Sequence, residues 1–106
     1  MKQPEKAGKI LERLTARMGI AARLEREKAV VLWEEAVGKN IARRAQAVSV
    51  RNEILFVVVQ NSAWLQELSL LKEGIIEKVN SAVGTDVVKD IVFRIGNAAK
   101  ENTDGG

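Results

Sequence analysis

Six consecutive apolar residues, Ile54-Leu55-Phe56-Val57-Val58-Val59, constrain this chain more than any other feature. A run this short and this rich in β-branched side chains reads as a strand rather than a helix. It has no polar face, so it is expected near the centre of a sheet, covered on both sides or by a partner. The segment before it has a period of two, with Ala47, Ser49 and Arg51 alternating with Val48 and Val50. Arg51-Asn52-Glu53 is a turn cluster, and the whole predicts a β-hairpin.

Around the hairpin the apolar period becomes helical. Ile10, Leu11, Leu14 and Met18 mark one face of a helix that begins near Gly8, and Gly19 stands where it would end. A second pattern starts near Ala22 and carries Leu24, Val30, Val31, Trp33, Ala36 and Val37. Gly38 stops or kinks it, and residues 39–45 look helical again, so 22–45 reads equally as one helix or two. After the hairpin, Asn61 or Ser62 can cap a helix over 62–83, whose stripe is Trp64, Leu68, Leu71, Ile75 and Val79. Gly84 closes it. Val87 to Ile95 is a third strand, with Ile91, Phe93 and Ile95 on one face.

The order α-α-β-β-α-β predicts an α+β fold, a two-layer sandwich with a three-stranded mixed sheet. The last strand follows a helical crossover, so it can lie parallel to a hairpin strand. A single domain over 8–95 is expected, with 1–7 a flexible lead-in and 96–106 a disordered tail.

Residue types narrow the chemistry. The chain has no His and no Cys among its 106 residues. That removes the usual general base, thiolate nucleophiles and the commonest metal ligands. There is no Gly-rich phosphate loop and no metal-ligand spacing, so neither an enzyme nor a cofactor is expected. No apolar run approaches the ~20 residues of a membrane span. No apolar segment follows Met1-Lys2-Gln3-Pro4, which argues against a signal peptide and for the cytoplasm. Charge points to binding instead. Twelve basic and seven acidic side chains precede residue 60, whereas five basic and seven acidic follow. Lys39, Arg43, Arg44 and Arg51 have no carboxylate among them, which makes them the leading phosphate-contact candidates. Arg13, Arg17, Arg23 and Arg26 join them if the first helix docks nearby. Such contacts would hold DNA without reading its sequence. Trp33 and Trp64 lie on apolar stripes where core packing is the default, and Trp33 is also the candidate partner-interface anchor.

One ordered combination is more specific. Trp33-x-x-x-Val37-Gly38 is followed by a basic stretch and the hairpin, then by Ser62-x-Trp64-x-x-x-Leu68 and the strand Ile91-Val92-Phe93-Arg94. Over roughly residues 8–95 this resembles the DciA family of bacterial replicative-helicase loaders. The resemblance implies a K-homology-like core, binding to the hexameric replicative helicase (DnaB-type) and to DNA, and no catalysis. It makes Val37, Gly38, Ser62, Trp64 and Leu68 structural signature positions. No Gly is followed by Gly three positions on, so the backbone clamp of RNA-reading K-homology domains is missing. An RNA-binding factor of the same fold is the second reading. A homodimer is the third, formed if the 54–59 strand lies at a sheet edge.

Overall fold

The computed structural model describes the backbone of residues 4–96 and the side chains of residues 17–96. Its elements run α1 (Pro4–Val31), α2 (Trp33–Val37), α3 (Lys39–Arg44), β1 (Ala45–Arg51), β2 (Ile54–Val59), α4 (Ser62–Leu70), α5 (Lys72–Val83) and β3 (Asp90–Ile95). The sheet order is β1-β2-β3, with β1 antiparallel and β3 parallel to the central strand. The apolar run therefore occupies the middle of a mixed sheet, and pairing through it as an edge is ruled out.

Alternation along β2 divides its two faces. Leu55, Val57 and Val59 are buried in one core with Ala29, Trp33, Val37, Ala42, Leu68, Ile75, Val79, Val83, Val88 and Ile91. All the helices contribute to this one layer, which gives the expected two-layer sandwich. On the opposite face Phe56 is half-buried beneath the Arg51 guanidinium, 4.7 Å from its ring centroid.

Three expectations about helix boundaries need correction. Gly19 does not end a helix, because α1 runs through it unbroken to Val31. A helix-interior glycine costs only about 1 kcal/mol relative to alanine. The 22–45 segment is neither one helix nor two, since it breaks at Leu32 and again at Gly38. The single helix expected over 62–83 is two, meeting at Leu71. Leu32 (φ −91, ψ 9) and Leu71 (φ −99, ψ 9) share a backbone shape between helix and turn that needs neither Gly nor Pro. The third strand begins at Asp90 rather than Val87.

Gly38 is different. Its φ of 92 and ψ of 160 lie where an L side chain is strained, although a Cβ there would meet nothing within 4 Å. Gly38→Ala is therefore expected to destabilise the fold by about 1–3 kcal/mol through the backbone alone. The check is a urea midpoint that falls at constant m-value.

Two side chains hold the stretch between α5 and β3: Thr85 Oγ1 donates to Glu25 Oε2 at 3.0 Å, and Asn80 brackets Val88. Asn80 Nδ2 donates to the Val88 carbonyl at 2.8 Å, and Asn80 Oδ1 accepts from the Val88 N–H at 2.9 Å. Asn80→Ala strands both groups beside the buried Val88 side chain, for an expected loss of about 2–3 kcal/mol in urea unfolding. Asn80→Asp keeps the acceptor and should recover part of it. The hairpin turn then starts β3, because the Glu53 carbonyl accepts from the N–H groups of Lys89 and Asp90. Lys72 Nζ lies 3.1 Å from Asp90 Oδ1, and this contact, followed by the Ile91 N–H, holds the Asp90 carboxyl below its usual range.

Candidate nucleic-acid interface

Helix α3 carries Lys39 and Arg43 at i, i+4, and Asn40 and Arg44 at the same spacing, so its exposed side is basic along its length. Both arginines stand in the last turn, where the helix dipole favours cations. The last carbonyls of the helix are tied off by neighbours. Gln46 Nε2 donates to Ala42 O (3.0 Å), Gln60 Nε2 to Arg43 O (3.3 Å) and the Gln60 N–H to Arg44 O (3.1 Å). The two glutamines thus satisfy the helix end beside a shallow hollow lined by Arg43, Arg44, Gln46, Gln60 and Gly96.

Arg44 has a second neighbour. Its Cζ lies 5.6 Å from the centroid of the half-buried Trp64 ring. Trp64 is held there by its helix cap, since Asn61 Oδ1 accepts from the Trp64 N–H at 3.0 Å. The cap is Asn61, and Ser62 is the first residue of α4. A cation stacked on a ring keeps its N–H edge available, so Arg44 is orientated without being neutralised. Among the described residues no carboxylate forms an ion pair with Lys39, Arg43, Arg44 or Arg51.

The four sequence candidates nevertheless form no single patch. Arg51 sits at the far end of β1, roughly 23 Å along the strand from Arg44. There it lines a groove between α1 and β1 with Arg23, Arg26 and Val31. Arg23 is already paired with Glu27 (3.6 Å). Arg17 is exposed on α1, about 13 Å further out than Arg26. The Arg13 side chain lies outside the described residues. Residues 39–44 therefore form one basic surface and Arg51 belongs to another. The contributions of Gln46, Gln60 and Trp64 to the first surface had no sequence signal, because they arrive from other elements.

The signature positions lie within or beside the core. Val37 and Leu68 are buried and Gly38 makes the turn between α2 and α3. Trp33 is 2% exposed, and its Nε1–H donates to the Ala45 carbonyl at 2.9 Å. An anchor for a partner needs an exposed indole, and this one is spent on joining α2 to the start of β1. Among the described residues no acidic cluster could hold a metal ion, and no helix is long and apolar enough to cross a membrane.

Comparison with known proteins adds the family. The family model described as "Dna[CI] antecedent, DciA" matches residues 6–93. A UPF0232 protein of Mycobacterium tuberculosis is 26% identical over 91 residues, covering 86% of this chain and 49% of that protein. Relatives of the same description in Mycobacterium leprae (28% over 91 residues; 86% and 48%) and Rhodococcus jostii (27% over 90 residues; 85% and 48%) are similar. The chain spans about half the length of the curated relatives it matches.

Proposed function

Because a family model matches most of it, this chain belongs to the DciA family, and on that premise we propose that it is a non-catalytic accessory of bacterial DNA replication. In this reading it acts in the cytoplasm, binds the DnaB-type replicative helicase and DNA, and aids helicase loading. Any ATP is hydrolysed by the helicase. The single observation that carries the DNA half is the exposed α3 face, where Lys39, Arg43 and Arg44 have no paired carboxylate among the described residues. These cations would contact phosphates, so binding would be independent of sequence.

The test has two arms. Purified chain is titrated into labelled single-stranded DNA, duplex DNA and structured RNA at rising salt. Three phosphate contacts give a log–log slope near −2.7 for duplex and −2.1 for single strands, a loss of about 20- to 40-fold between 50 and 200 mM salt. The second arm is co-elution with purified helicase at low salt. No DNA binding at about 50 mM salt, where such contacts are strongest, together with failure to co-elute, would overturn the proposal. A clear preference for structured RNA would favour the RNA-binding alternative.

A further inference from the structure

The two edges of the sheet are not equivalent. β1 has a register shift between Ala47 and Ser49 and packs beside α1. Bulges and covering helices are the usual devices that discourage an edge from pairing. β3 pairs with β2 in unbroken register from Asp90 to Ile95; α4 and α5 pack against it, and among the described residues no strand pairs with its outer side. The N–H groups of Asp90 and Gly96 turn toward β2, to Glu53 O and Val59 O. The even-numbered residues of β3 therefore face β2. Ile91, Phe93 and Ile95 turn their N–H and C=O groups outward. In that outward row the Ile91 N–H donates to Asp90 Oδ1 at 2.8 Å. The side chains along the edge are poorly covered, with Val92 40% and Ile95 53% exposed and Phe93 only half-buried.

The sequence of this edge is complementary to itself. Set antiparallel about Val92, Asp90 falls opposite Arg94 of a second copy, Ile91 opposite Phe93, and Val92 opposite its own counterpart. The outward backbone groups match this register, because Ile91 and Phe93 can exchange N–H···O=C bonds with Phe93 and Ile91 of the other copy. Asp90 and Arg94 then fall in the closer, non-hydrogen-bonded positions, where side chains approach best. Moving the axis one residue, to Phe93, would set Val92 against Arg94 and lose both ion pairs.

We propose that β3 is the pairing edge for a second copy of this chain, with a two-fold axis at Val92 and reciprocal Asp90–Arg94 ion pairs, so that one continuous sheet runs through both copies. The interface is isologous, as a two-fold contact requires. On pairing, Asp90 gives up its contacts with Lys72 and the Ile91 N–H, and Arg94 gives up the interaction it makes within its own chain, each for the reciprocal ion pair. The C-terminal end of this edge adjoins the α3 hollow at Gly96, but the proposal does not depend on what α3 binds.

Sedimentation velocity on the full chain from about 10 µM to about 1 mM should show a monomer–dimer equilibrium. Asp90→Arg brings two guanidiniums together at each of the paired positions, and Arg94→Asp brings two carboxylates together there. Each variant alone is expected to dimerise at least about tenfold more weakly. An equimolar mixture of the two variants is complementary again and should restore the dimer, as should the double variant D90R/R94D. Val92→Lys, which leaves the Asp90–Lys72 pair untouched, should also give a monomer; circular dichroism melts establish that each variant is folded. A wild-type chain that stays monomeric throughout overturns the proposal. So does a dimer indifferent to these substitutions, or a mixture of the single variants that stays monomeric.

Discussion

Replacing Trp33 with alanine is expected to remove about 3–5 kcal/mol of folding free energy, the largest loss from any single substitution considered for this domain. The side chain is 2% exposed and sits among Ala29, Val37 and Ala45 in the buried cluster. Truncation leaves a cavity where α2 meets the start of β1, and it strands the Ala45 carbonyl that now accepts from Nε1. Domains of this size are stable by only about 5–15 kcal/mol, so the variant should lie near the edge of unfolding. Urea titration should show it, with a fall in Tm of roughly 12 °C or more. Trp33→Phe separates the two contributions. It fills most of the volume but cannot donate, so it should cost about 1–3 kcal/mol for the unsatisfied carbonyl. A Trp33→Ala variant of wild-type stability would show that the indole does not join the two elements.

The second large effect concerns charge. The double reversal R43E/R44E is expected to weaken DNA binding by at least about 100-fold at 50 mM salt, and to flatten the salt dependence to a slope no steeper than about −0.9. The difference should shrink toward nothing near 1 M salt, where counterion release no longer contributes. Both side chains are exposed, and the helix end beneath them is secured by Gln46 and Gln60, so the fold should survive. Loss of the Arg44–Trp64 contact accounts for about 0.5–1 kcal/mol of stability. Arg51→Glu is the matched control, since it reverses a charge of the same kind roughly 23 Å away. Equal losses from Arg51→Glu and from R43E/R44E would mean that the α3 face has no privileged role. Fluorescence anisotropy on the three proteins at matched salt decides between these outcomes.

Much of the architecture was legible in residue order because it depends on period and turn chemistry. The hairpin, the central place of Ile54–Val59 and the parallel return of β3 all follow from local patterns that tertiary packing reinforces. The helix breaks were not legible. Leu32 and Leu71 are good helix formers, and the breaks there accompany the packing of α2 against α5. Leu71 continues the stripe of Trp64 and Leu68 by spacing, yet it ends up 47% exposed because the break turns it away. The candidate site was legible only in part. Lys39, Arg43 and Arg44 share a helix, so closeness in sequence became closeness in space. Arg51 is only seven residues beyond Arg44, but an extended strand carries it to the other end of the sheet.

The parallel pairing of β2 with β3 also sets a timetable for synthesis. When Val59 leaves the ribosome, β1 is ready to flank the greasiest stretch of the chain, but its other neighbour has not yet been translated. Thirty-six more residues must be added before Ile95 exists, roughly 2–7 seconds at ordinary elongation rates. For that interval one flank of the strand is bare in every nascent molecule, which makes it the natural place for a chaperone to hold the chain or for two neighbours on a polysome to entangle.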